Sequence, residues 1–272
     1  MLQVAMPALA AILAWWFSTG MVMYLVGLPR RTHRRTQVAA TVALLGALWG
    51  LAATANDTSE TGAYLAFGCA IVAWGWQEVC FLTGVALGPR TGRCPEGVAG
   101  WRRFAVASQA ILFHELQLVA LGGAVLLATA GGANPVGTWT FLVLWAMRLS
   151  AKLNLFLGVP FLHADWLPAE LRYLASYFRV RPMNWLFPLS VTLPTILAFV
   201  LVQGALQPET APFDATARLL AAALLALAVL EHWFMVLPLP VAALWSGFKA
   251  RDDEEEEKTL VFPTPTIDRR GT

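Results

Sequence analysis

Ionisable side chains inside long apolar runs are the residues most able to do chemistry, because charge in hydrocarbon is costly and is retained where it is paired or used. Four runs of this chain hold them. WGWQEVCF carries Gln77 and Glu78, FHELQL carries His114, Glu115 and Gln117, MRLSAKLN carries Arg148, Lys152 and Asn154, and LEHWF carries Glu231 and His232. Arg148 and Lys152 are four residues apart, so on a helix both point to one face and could each meet a carboxylate on a neighbouring helix.

Several chemistries suit such a set. In the structural reading, Glu78, His114, Glu115, Arg148, Lys152, Asn154, Glu231 and His232 form a buried polar cluster whose pairs hold a helical bundle in register. In a second, His114 or His232 gives an axial nitrogen to the metal of a pigment or other tetrapyrrole, with Phe113, Trp233 and Phe234 against the macrocycle. A third gathers Glu78, His114, Glu115, Glu231 and His232 around a metal ion. There the pairs His114–Glu115 and Glu231–His232 are adjacent, about 100° apart around a helix and poorly placed to share an ion, and no HExxH motif occurs, so the pattern disfavours a metal. A proton relay or transporter site is a fourth. A retinal-type receptor would need a Schiff-base lysine in the last span, where Glu231 and His232 stand instead.

The elements that must position these groups are membrane helices. Of the 272 residues 58% are hydrophobic and 13% charged, whereas soluble domains carry about 25% charged residues. Apolar runs long enough to cross about 30 Å of hydrocarbon predict an all-α polytopic membrane bundle over residues 1–249. Its spans are expected near residues 5–28, 37–55, 62–88, 104–129, 138–158, 185–206 and 217–247, about seven in all. The first run has no basic flank or clear cleavage site and reads as a retained helix. Residues 164–181 alternate apolar and polar groups at helical spacing, as in an interfacial helix. Pro238 and Pro240 interrupt the last run, which admits a six-span alternative in which it turns back.

Sixteen of the 19 lysines and arginines fall in alternate connections or the tail: Arg30, Arg31, Arg34 and Arg35; Arg90, Arg93, Arg102 and Arg103; Arg172, Arg179 and Arg181; and five after residue 248. The intervening connections 56–61 and 130–137 have none. The positive-inside rule then places the N-terminus in the periplasm and the C-terminus in the cytoplasm. With that topology the intramembrane ionisable groups share a depth, from the middle of the bilayer to its cytoplasmic third. Trp101, Trp139, Trp166, Trp185 and Trp245 stand near the expected helix ends, in the headgroup zone. Residues 250–272 carry six consecutive acids and a proline-containing end, a composition expected to stay disordered. A net charge of +2 gives no reason to expect nucleic acid as a partner. Cys69, Cys80 and Cys94 show no CxxC spacing.

The runs AWWFSTGMVMYLVGLPR, DTSETGAYLAFGCAIVAWGWQE, FHELQL, TFLVLWAMRLSAKLNLFLGVP, ELRYLASYFRVRPMNWLFP and LEHWFMVLPLP resemble, in order, those of the photosynthetic complex assembly protein 2 family, PuhE. The resemblance covers most of residues 14–245. It implies a multi-pass protein of the cytoplasmic membrane, inner or intracytoplasmic, of a phototrophic bacterium, associated with reaction-centre H-subunit genes. The implied role is assembly of reaction-centre or light-harvesting complexes, or modulation of bacteriochlorophyll supply. Bacteriochlorophyll or a precursor would be the ligand, reaction-centre or light-harvesting polypeptides the partners, and small-residue faces such as Gly122 to Ala124 the docking surface. The absence of a catalytic motif points away from an enzyme. The alternatives left open are a membrane enzyme of tetrapyrrole metabolism, with a His/Glu metal or proton-transfer site, and a transporter.

Overall fold

The computed structural model describes residues 2–162, 167–239, 244–245 and 247. Among the described residues eight α-helices follow in order: α1 (Leu2–Val26), α2 (Arg30–Thr54), α3 (Glu60–Leu82), α4 (Gly100–Ala110), α5 (Leu112–Ala128), α6 (Val136–Leu157), α7 (Leu186–Ala205) and α8 (Pro212–Phe234), with a 3₁₀ segment at Ala169–Tyr177. Six of them are long and apolar enough to cross a membrane, and α4 with α5, bent by 66° at their junction, makes a seventh where the pair is one span. The expected all-α membrane bundle is the fold observed.

Small side chains let the helices approach. Ala63, Ala66, Ala70 and Ala73 of α3 are buried against α2 and its other neighbours, and Leu51, Phe67, Leu118, Phe141 and Leu220 fill the centre. A Cβ on Gly50 would stand 2.6 Å from Cys69 Sγ, so glycine is what brings α2 so close to α3. Large apolar side chains remain on the outside, Trp49 and Leu127 being 75% and 80% exposed, as expected where the surface meets hydrocarbon rather than water.

The connections gather at two ends. At one, Arg30 pairs with Glu170, Tyr177 Oη donates to the Gly92 carbonyl at 2.7 Å, and Gln37 Nε2 donates to Thr83 Oγ1 at 3.0 Å. Arg103 lies over the Phe156 ring at 4.5 Å and donates to the Tyr177 and Phe156 carbonyls. At the other, Asn134 Nδ2 lies 3.0–3.1 Å from the Thr54, Asp57 and Gly62 carbonyls, tying the second and fourth connections together. The arginine-bearing connections therefore share one end, matching the alternation in the sequence.

Three expected spans are corrected. The third span stops at Leu82, not near 88, and the following loop turns through Gly84 at φ 81°. That loop also breaks the fourth span: the Leu87 carbonyl accepts from His114 N at 3.1 Å, and a Cβ on Gly88 would sit 2.0 Å from the Gln109 carbonyl oxygen. An outside acceptor for His114 N–H replaces the intrahelical one, and the chain bends at Ile111 (φ −124°, ψ 13°). The last span begins earlier, with Pro212 in its first turn, and ends at Phe234 rather than 247. Beyond it Leu244 and Trp245 lie against α1: Trp16 Nε1 donates to the Leu244 carbonyl at 3.0 Å and the Trp15 and Trp245 rings pack 5.2 Å apart. The expected interfacial helix at 164–181 is a shorter 3₁₀ segment. Trp166 and the acidic tail lie outside the described residues.

Candidate functional site

The ionisable residues singled out in the sequence meet near the arginine-bearing end of the bundle. Glu78 is four residues before the end of α3, His114 and Glu115 are in the first turn of α5, Lys152 is five residues before the end of α6, and Glu231 is three before the end of α8. Arg148 Nη2 donates to Glu78 Oε2 at 2.6 Å and Lys152 Nζ to Glu115 Oε1 at 2.7 Å. One face of α6 thus binds α3 and α5, as its four-residue spacing allows. Arg148 is also within electrostatic reach of Glu115 and Glu231. Glu231 Oε1 accepts from Trp15 Nε1 of α1 at 2.5 Å. Three carboxylates and two cations form a single network spread over four helices.

A second, neutral network occupies another face of α6. His232 is 1% exposed; its Nδ1 lies 2.8 Å from the Ala228 carbonyl and its Nε2 2.9 Å from Ser150 Oγ. A nitrogen facing a carbonyl must carry the proton, so Nδ1 donates to Ala228, while Nε2 faces the Ser150 hydroxyl. Ser150 and Ser190 hydroxyls are 2.8 Å apart, Asn154 Nδ2 donates to Ser190 Oγ at 2.9 Å, and Asn184 Nδ2 donates to Asn154 Oδ1 at 3.0 Å. Asn184 Oδ1 accepts the Leu186 and Phe187 amides at 2.9 and 3.1 Å, capping α7. The chain of bonds joins α6, α7 and α8. Sequence reasoning missed Trp15, Ser150, Asn184 and Ser190; the one available signal was the four-residue spacing of Ser150 and Asn154.

His114 contrasts with His232. It is 1% exposed, its ring packs 4.3 Å from that of Phe81, and neither ring nitrogen has a protein hydrogen-bond partner among the described residues. Gln77, fully buried on α3, likewise lacks a partner at both side-chain atoms, and Gln117 lacks one at Oε1. A buried polar atom left unmet costs about 1–3 kcal/mol.

Metal and pigment readings of the expected residues can be tested on this geometry. Among the described residues no three His, Cys, Asp or Glu side chains converge, so Glu78, His114, Glu115, Glu231 and His232 do not assemble as a metal centre. Their carboxylates are taken by Arg148, Lys152 and Trp15. For a pigment, both His232 nitrogens are engaged, and His114, whose nitrogens have the right chemistry, is closed in on all sides. Neither histidine, as placed, offers an open axial position to a macrocycle. Of the small residues Gly122 to Ala124, Gly122 is covered, since a Cβ there would stand 3.1 Å from Phe141 and 3.3 Å from Trp145, whereas nothing stands within 4 Å of a Cβ on Gly123.

Fold and site together define a multi-pass membrane helical bundle whose intramembrane carboxylates are paired within it. The chain belongs to the family described as protein of unknown function DUF3623, whose model matches residues 1–256. It is similar to a protein of Rhodobacter capsulatus described as the uncharacterized 30.4 kDa protein in the puhA 5′ region, at 40% identity over 264 residues and 95% of each chain. No solved structure matches it.

Proposed function

We propose that this protein is a membrane factor for assembly of bacterial photosynthetic complexes, acting on reaction-centre or light-harvesting polypeptides and on bacteriochlorophyll supply, as the PuhE resemblance implies. The observation that carries the reading is the near full-length relative in the puhA 5′ region. The geometry supports a non-enzymatic role: each intramembrane carboxylate is held by a cation or an indole N–H, which serves register between helices rather than turnover. The membrane is the cytoplasmic or intracytoplasmic photosynthetic membrane, with the N-terminus periplasmic and the arginine-bearing end in the cytoplasm. Partner spans meet the exposed apolar surface of α2 and α7, where Val42, Leu45, Trp49, Leu193 and Phe199 face outward.

The test is purification of the full chain in mild detergent from cells grown phototrophically. Recovery of reaction-centre or light-harvesting polypeptides, absent from a control membrane protein, is the expected result. Recovery of none of them, with an unchanged pigment complement in a strain lacking the gene, contradicts the reading.

A further inference from the structure

We propose that Gln77, His114 and Gln117 form an internal site for a small neutral hydrogen-bonding ligand, water, enclosed between α3 and α5. The register of the two helices brings the three together. The Phe81 and His114 rings lie 4.3 Å apart, tilted by 40°, and Gln117 lies beside the Cys80 thiol. Gln77 precedes Cys80 by three residues and Phe81 by four, so it stands on the face of α3 that meets α5. His114 and Gln117, also three apart, stand on the reciprocal face.

The unmet atoms are Gln77 Nε2 and Oε1, His114 Nδ1 and Nε2, and Gln117 Oε1. They comprise the Gln77 amide N–H groups, one imidazole N–H, one imidazole lone pair and two amide carbonyls, so the occupant must both donate and accept. Arg148 and Lys152 lie within electrostatic reach of His114 and oppose a further cation. An anion would leave both carbonyls unmet. Exposure of 0% at Gln77 and 1% at His114 closes the site to a macrocycle. Water meets each condition, since buried waters characteristically take two to four bonds from otherwise unmet polar groups. The site adjoins both ion pairs: Gln77 precedes Glu78, and His114 precedes Glu115.

Hydroxyl-radical footprinting of the full chain in lipid nanodiscs, with rapid mixing into H₂¹⁸O before a short X-ray pulse, tests this directly. Bound water is activated in place, so Cys80, Phe81 and His114 should be oxygenated, and with ¹⁶O retained longer than at surface residues. No oxygenation at those three residues overturns the proposal, as does a tetrapyrrole absorbance whose loss accompanies His114→Phe. Variants give an independent reading. If water bridges them, Gln77→Leu and His114→Phe each lower Tm by about 3–6 °C, and together by clearly less than the sum. A rise in Tm for either single variant shows dry, unmet groups and overturns the proposal.

Discussion

Replacing Arg148 should damage the bundle more than replacing the carboxylate it pairs with, because of how the charges balance. Glu78, Glu115 and Glu231 face Arg148 and Lys152. Arg148→Met leaves three carboxylates against one cation, whereas Glu78→Gln leaves two against two and keeps a hydrogen-bond acceptor near the guanidinium. Breaking a buried pair costs about 3–5 kcal/mol. Glu78, with a side chain 10% exposed, is held closely enough for that range to apply when Arg148 is lost; the Arg148 side chain is 40% exposed, so losing Glu78 costs less. The expected destabilisations are about 4 kcal/mol for Arg148→Met and about 2 kcal/mol for Glu78→Gln. The double variant returns to the starting charge imbalance and should fall about 2 kcal/mol short of the sum, a coupling well above the additivity error of about 0.5 kcal/mol. At about 2–4 °C per kcal/mol, Arg148→Met lowers Tm by about 10 °C. Thermal melts in detergent followed by size-exclusion chromatography measure all three variants. Equal losses for the two single variants, or an additive double, would refute the shared network.

Gly88→Ala should destabilise by about 3 kcal/mol, because its Cβ would stand 2.0 Å from a backbone oxygen that cannot move aside; circular-dichroism melts check this, and Gly92→Ala, where nothing stands within 4 Å, is the matched control. Ser150→Ala should cost about 1–3 kcal/mol by leaving His232 Nε2 unmet, and a melt unchanged from wild type would argue against the neutral network. Glu231→Gln keeps an acceptor for Trp15 Nε1 while Glu231→Leu does not, so the tryptophan emission maximum should move in the second variant and stay in the first.

The spans and their alternation were legible because hydrocarbon selects long apolar runs and arginine marks one set of connections. The buried charges were legible for the same reason, since each must be compensated. The four-residue spacing also announced that Arg148 and Lys152 share a face. Their assignment to Glu78 and Glu115 rather than Glu231 was not visible, because it depends on which helices touch. The bend at Ile111 left no local mark: its cause lies in Leu87 and Gly88, more than twenty residues earlier. Trp15 looked like one of many span aromatics and Asn184 like a connector residue, and both roles arise only across helices. The last span was read too long because Val236, Leu237 and Leu239 continue the apolar run past the helix end at Phe234.

The assembly role itself is tested most directly by absorbance and pigment analysis of membranes from a phototrophic strain lacking this gene. Lower reaction-centre and light-harvesting bands, restored by the wild-type chain and with no biosynthetic intermediate accumulating, is the result expected of an assembly factor. Normal complexes, or build-up of one defined bacteriochlorophyll precursor as in an enzyme block, would contradict it.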